Sequence, residues 1–337
     1  MSSPDETDLQ LVNLLQVDPR MPWTKVGHLL GISATTAANR WKRLTEDGLA
    51  WIVAYPRLDA WLTAAVDIDC RTESLPGVIA QLCANPMVVS VDECTGGRDI
   101  LAWVLADDMP TLSSLVIDWI GQLSGVYGTR TSLVTEVVSG AESWRLNAVT
   151  RRQLSEAAPR CAAQAASTDK LDAFDAALAR ALALDGRASV ASLALQLDAP
   201  STTVTRRLAR LRSGKLTMRC DMSPQVSGNL LECTWVTTVA PNHKARMGEF
   251  LKSESAIRES MWTTGLNNLR FSFGVSHPSR LAALEADIIR SLPGLAPSEL
   301  LFHMRRHKSM GHLLDSQGCA TGELVAPVFG GDGAGSA

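Results

Sequence analysis

Residues 24–46 read TKVGHLLGISATTAANRWKRLTE, and residues 191–213 read ASLALQLDAPSTTVTRRLARLRS. In each, a small residue (Gly27, Ala194) precedes a turn residue (Gly31, Asp198), and an apolar residue (Ala37, Val204) follows. A helix-turn-helix needs that order: a small side chain where the helices touch, tolerance of positive φ in the turn, and an apolar anchor in the second helix. The stretches lie 167 residues apart, and at that offset 4–55 and 171–222 align without a gap. Asp5 meets Asp172, Asp8 meets Asp175, Leu11 meets Leu178, Arg20 meets Arg187, Arg40 meets Arg207, Arg43 meets Arg210 and Leu44 meets Leu211. Agreement in this order marks an internal repeat. Each copy holds three amphipathic segments and a short apolar run such as Leu49 to Tyr55, which predicts three helices and a strand.

The repeat continues at an offset of 169. After the first copy the pattern predicts strands at 64–70, 88–95, 99–106 and 129–138, with helices at 75–85 and 109–123. After the second it predicts strands at 231–239, 260–264, 269–275 and 299–305, with helices at 244–254 and 278–292. The order βαββαβ is ferredoxin-like. The expected class is therefore α+β, two winged helix-turn-helix domains (1–56, 170–222) alternating with two ferredoxin-like βαββαβ domains (57–140, 223–313). Residues 141–169 read as a linker, and 314–337, Gly- and Ala-rich from Gly318, as a mobile tail.

Composition bounds the function. A net charge of −3 requires any nucleic-acid surface to be a local patch, and 46% hydrophobic residues exclude a wholly disordered chain. The seven cysteines are scattered without a C-x-x-C pair, so neither a disulfide framework nor a zinc knuckle is indicated, and no metal or cofactor is expected. The polar, acidic start and the lack of a long apolar stretch point to a cytoplasmic protein without a membrane partner. There is no G-x-S-x-G, P-loop, H-E-x-x-H or dinucleotide fingerprint, which argues against an enzyme. His303, His307 and His312, with Arg305, Arg306 and Lys308, read as a solvated basic edge.

The second helix of each motif carries the candidate chemistry. In the first copy Ala37, Trp41 and Leu44 form the inward stripe. Ser33 opens the helix, Thr35, Thr36, Asn39 and Arg43 face outward, and Arg40 flanks them. In the second, Val204, Leu208 and Leu211 are inward, Ser201 opens the helix, Thr202, Thr203, Thr205, Arg206 and Arg210 are outward, and Arg207 flanks. Thr, Asn and Arg contact phosphates and major-groove base edges, so double-stranded DNA is the expected partner. Charge separates the copies: Asp5–Tyr55 has five basic and six acidic residues, whereas Lys170–Arg219 has nine and four. The second should supply more phosphate affinity.

These residues resemble the Lrp/AsnC (feast/famine) transcriptional regulators. The likeness rests on Asp5-x-x-Asp8, Arg20, Val26-Gly27, Gly31-Ile32-Ser33, Arg40 to Leu44 and Gly48-Leu49, then on Thr95 to Leu101 and Thr129 to Ser132. It implies effector domains that pair into homo-oligomers and a small-molecule effector, frequently an amino acid, near the loop before Asp99. Gly96 and Gly97 would let backbone N–H groups approach a carboxylate, Asp99 would receive an ammonium group, and Arg98, Thr129 and Thr131 would add polar contacts. A tight hairpin stabilised by Asp99 is the structural alternative. At the 169 offset Asp99 meets Asn268, Gly97 meets Leu266 and Thr131 meets Leu300, so sensing is expected in the first effector domain only. The siroheme decarboxylases, a tetrapyrrole enzyme family, resemble both modules too. Their chemistry would call for His, Tyr or Arg on the second effector-domain strand, but Val88 to Thr95 is acidic and has none.

Overall fold

The computed structural model describes residues 3–158, 171–291 and 297–330. Three helices open the chain: α1 (Glu6–Val17), α2 (Trp23–Leu30) and α3 (Ala34–Glu46). Asp5 caps α1 by accepting the Asp8 N–H, while Asp8 returns the bond to the Asp5 N–H, which satisfies two otherwise unpaired donors. Gly31 ends α2 at φ 69°, and Ser33 caps α3 through the Thr36 N–H at 3.0 Å. A Cβ on Gly27 would lie 2.6 Å from the Ile32 carbonyl oxygen, so the helices approach as closely as the sequence anticipated. Leu11, Leu15, Val26, Ala37, Trp41 and Leu44 form the core beneath them. The strand β1 (Ala50–Pro56) follows.

The first βαββαβ unit comprises β2 (Leu62–Cys70), α4 (Leu75–Ala84), β3 (Val88–Cys94), β4 (Ile100–Ala106), α5 (Met109–Ser113) and β5 (Val126–Ser139). Where one continuous helix over 109–123 is expected, α5 passes into a π-helical stretch at Ser114–Trp119 and a 3₁₀ turn at Ile120–Gln122. The wider π turn still buries Leu115 and Val116 against the sheet, and the 3₁₀ turn buries Ile120.

The expected linker is partly ordered. Thr150 and Gln153 form a capping box on α6 (Arg151–Ala157), and Ala157 packs into the α1–α3 core. Its remainder, including Cys161, lies outside the described residues. The element order then recurs: α7 (Ala173–Leu184), α8 (Val190–Gln196), α9 (Ser201–Gly214) and β6 (Leu216–Met222), a short α10 (Pro224–Ser227), and then β7 (Leu231–Thr237), α11 (Lys244–Ser253), β8 (Ile257–Thr263), β9 (Leu269–Val275), α12 (Ser279–Ser291) and β10 (Pro297–Ser309). Asp198 takes the turn at φ 46°, in the place Gly31 holds earlier.

Neither strand that follows a helical unit folds into a hairpin wing. β1 and β6 instead pair with each other, antiparallel, from Ala50↔Met222 to Pro56↔Leu216. The other strands run β10-β3-β4-β2-β5-β8-β9-β7, and β7 pairs back onto β10, which closes a ring of eight. Closure depends on two long strands. β5 pairs with β2 up to Leu133 and with β8 from Val134; β10 pairs with β7 up to His303 and with β3 from His303 onward. No edge is left open in the ring.

Residues 314–330, expected to belong to a mobile tail, are ordered; 331–337 lie outside the described residues. β11 (His312–Leu314) pairs with β12 (Ala320–Leu324), the Ala320 N–H bonds the Gly48 carbonyl at 2.9 Å, and Phe329 is fully buried beside the α7–α9 core. Phe329, Leu324 and Cys319 supply the apolar anchors that a reading of Gly and Ala content overlooks.

Candidate functional site

On α3, Thr35, Thr36 and Asn39 are exposed while Ala37, Trp41 and Leu44 are buried; on α9, Ser201, Thr202, Thr205 and Arg206 are exposed over Val204, Leu208 and Leu211. Thr203 is half-buried, and Thr205 Oγ1 donates to the Ser201 carbonyl at 2.8 Å. The arginines are less free than their helical positions suggest. Arg40 bonds Asp5 at 2.8 Å and Asp8 at 2.9 Å, and Arg43 also pairs with Asp8. Arg207 and Arg210 repeat the arrangement on Asp172 and Asp175. Asp8 and Asp175 are completely buried, so the arginines neutralise them and fasten the second helix of each motif to the first helix of its unit. Of the four, Arg210 keeps half of its side chain in solvent, and Arg206 has no ion pair among the described residues.

A second pair of arginines joins the two units. Arg20 donates to the carbonyls of Gly186 and Ala188, both at 2.6 Å; Arg187 donates to those of Pro19 and Met21, the latter at 2.8 Å. The offset of 167 carries Pro19 to Gly186 and Met21 to Ala188, so the clamp is reciprocal about a pseudo-twofold axis. Burial, and then the nearby charge of Arg20, lower the Arg187 pKa to about 10. The matched arginines were visible in the repeat, but their target, backbone carbonyls of the other copy, has no sequence signature.

The expected effector loop is satisfied from within the chain. The Gly97 N–H donates to Glu299 Oε1 at 2.9 Å, and buried Arg98 pairs with the other oxygen of Glu299 and with Asp67 at 2.7 Å. A Cβ on Gly96 would lie 2.8 Å from Glu299 Oε1. The carboxylate that the two glycines were expected to admit is thus that of Glu299 on β10. Asp99 accepts the Cys70 N–H at 2.8 Å, and Asn268 accepts the Val239 N–H at the same distance. Those pairs coincide at the 169 offset, so Asp99 and Asn268 do one structural job and their difference in charge does not by itself mark one sensing site. Thr129 and Thr131 lie on β5 opposite Ile68 and Val66, and between them Arg130 donates to the Gly97 carbonyl at 2.6 Å.

The ring interior is charged. Arg270 bonds Asp67 at 2.7 Å, and a longer chain runs from Asp92 through Arg306, Glu232, Arg258, Asp221 and Arg219 to the Tyr55 hydroxyl, with distances of 2.7 to 3.2 Å. Burial alone would raise the Asp92 pKa, but Arg306 and His303 outweigh it and hold the carboxyl at about 2. Of the segment 303–308 expected as a solvated basic edge, Arg305 is exposed, but His303, Arg306, His307 and Lys308 turn inward. His303 lies with Nδ1 3.1 Å from Asp92 and hydrogen-bonds Thr234 through Nε2, and Lys308, fully buried, donates to the carbonyls of Cys83 and Asn85. The sequence did signal this: in β7 and β9, Glu232 and Arg270 alternate with Cys233, Trp235, Leu269 and Phe271, which face the helices. Only the pairing of the two halves turns that second face inward.

Comparison with known proteins locates a family in the first part of the chain. Residues 5–45 match the model of the AsnC-type helix-turn-helix domain, and residues 63–143 that of the Lrp/AsnC ligand binding domain. The HTH-type transcriptional regulator LrpA of Pyrococcus abyssi is 29% identical over 138 residues, covering 39% of this chain and 96% of that protein. The regulator AldR of Mycolicibacterium smegmatis is 28% identical over 145 residues, covering 41% of this chain and 84% of AldR. Among solved structures, the siroheme decarboxylase NirDL covers 91% of this chain and 93% of its own with a TM-score of 0.59 at 14% identity, a likeness of fold. No helix among the described residues is long and apolar enough to cross a membrane. Residues 5–45 and 63–143 thus match an AsnC-type helix-turn-helix domain and an Lrp/AsnC ligand binding domain, and the homologues over this part are HTH-type transcriptional regulators.

Proposed function

We propose that the protein is a sequence-specific, DNA-binding transcriptional regulator of the Lrp/AsnC type, a tandem fusion in which one chain supplies two helix-turn-helix domains and two ferredoxin-like effector domains. In this reading the fusion is a covalent pseudo-dimer that acts on double-stranded DNA in the cytoplasm and assembles further through its effector domains. The observation that carries it is the duplicated polar face, Thr35, Thr36 and Asn39 on α3 and Thr202, Thr205 and Arg206 on α9, on two units held by reciprocal arginine clamps. Paired recognition helices address major grooves about 34 Å apart or a multiple of that. Arg40, Arg43, Arg207 and Arg210 act chiefly as buttresses, whereas Asn39 and Arg206 read: Asn pairs bidentately with adenine, Arg with guanine or phosphate. Arg206→Ala should weaken binding to a selected duplex and, if Arg206 meets a phosphate, reduce the slope of log affinity against log salt by about 1. Fluorescence anisotropy at several salt concentrations checks this; unchanged affinity and slope would contradict the assignment.

The siroheme decarboxylase reading is favoured by the fold likeness across nearly the whole chain. Against it, the cavity bounded by Asp92, His303 and Arg306 between the sheets holds only about 30 Å³, room for a water and not a macrocycle. A changed tetrapyrrole absorbance spectrum with loss of a carboxyl group on incubation would reverse the order of the two readings.

A further inference from the structure

With Glu299 on the Gly97 N–H and the Arg98 guanidinium, two of the groups expected to receive an effector carboxylate are already engaged. A cavity of about 420 Å³ lies elsewhere, between α1, the β1–β6 seam, the far end of β5, the 140–145 segment and the end of α9. That volume falls in the range of small-molecule sites. Three arginines line it, Arg57, Arg145 and Arg212, with Glu142 the one carboxylate in its wall. Arg212 is paired with Asp18 at 2.7 Å. Arg145 donates to the carbonyls of Glu142 and Trp144 and has no ion pair among the described residues, and burial lowers its pKa although Glu142 acts the other way. A half-buried guanidinium held by carbonyls alone has its charge unanswered and gains from an anion.

The cavity is not repeated. At the 167 offset Gln16, Tyr55 and Arg212 correspond to Ala183, Met222 and Thr45, so the polar character belongs to one side of the pseudo-dimer. Its walls come from both helical units and from the ring, which places a bound molecule where it would affect their relative position. Phosphate sites favour backbone nests and helix N-termini. Here the cationic lining is arginine forks beside Val137, Val138 and Leu216; forks hold carboxylates and phosphates alike, and the pyrophosphate arm of the test below separates the two.

We propose that this cleft binds a small di- or tricarboxylate and is the effector site of the chain. As an effector site it rests on the DNA-binding reading; as an anion site it does not, and the test uses the DNA-free, full-length protein so that either can fail separately. Titration calorimetry with citrate, against pyrophosphate and a salt-matched control, should show one site per chain. Arg145→Ala and Arg212→Ala should each raise the citrate dissociation constant about tenfold, the loss of one charge-assisted contact. Arg212 is outside the core, so that variant stays informative if Arg145→Ala fails to fold; Glu299→Gln should leave citrate binding unchanged. No citrate binding, or binding that survives the Arg212 change, would overturn the proposal. Tighter binding of pyrophosphate than of citrate would overturn the carboxylate assignment.

Discussion

Buried charge at single residues decides more of this molecule than its composition suggests. Asp8 and Asp175 read as ordinary first-turn acidic residues, yet each is fully buried and each is answered by two arginines of the third helix of its unit, 32 and 35 positions downstream. The spacing was legible because it repeats; the pairing was not, since helical periodicity places an arginine on a face without saying what packs there. His312 offers a test at this scale. Burial pulls its pKa from 6.5 to about 4, more than Asp221 and the Ile52 backbone restore. The folded state therefore favours the neutral imidazole: stability is complete above pH 6.5, declines as the unfolded chain takes up a proton between 6.5 and 4, and is flat with respect to this group below 4. The span corresponds to at most about 3 kcal/mol. Asp92, held at about 2, adds its own loss only below its ordinary 3.8. Urea unfolding from pH 7 to 4 should show the decline in the native protein and a flatter profile in His312→Gln; equal profiles would remove His312 as the cause.

At the scale of elements, the strands after each three-helix unit carry the association. β1 is buried along its whole length and pairs only with β6, so neither unit has a wing of its own. The alternation and length of these strands were legible, and their partner was not, because a lone strand with apolar faces fits a wing, a sheet edge or a seam equally well. The Arg20 and Arg187 clamps sit beside this seam. Hydrogen bonds from charged donors contribute about 1.5–3 kcal/mol each. Arg20→Ala with Arg187→Ala should therefore speed hydrogen exchange at Ile52, Val53 and Cys220 while exchange at Ile100 and Phe271 in the ring stays slow. Equal acceleration in both places would mean that the ring and the seam unfold together.

At the scale of the whole molecule, the repeat sets the architecture. Thr95 exchanges two bonds with Phe302, and Thr264 exchanges the same two with Leu133, so each half completes the other's sheet. The order of elements followed from sequence because hydrophobic period is local, whereas ring closure, the charged interior and the seating of Glu299 arise only from the docking of one half on the other. Matched positions of the two halves need not agree: Arg130 and Glu299 correspond at the 169 offset, and one takes the Gly97 carbonyl while the other takes its N–H. At another matched position α3 carries Asn39 and α9 Arg206, the two residues to which the proposal gives the reading role. Selection of duplexes from a random pool by the full-length protein tests the central claim most directly. The account predicts an enriched site of two unlike halves about one helical turn, or a multiple of it, apart, with Arg206→Ala relaxing preference in one half only. A perfect palindrome would mean that equivalent units of two chains read the site, and no enrichment at all would contradict DNA recognition itself.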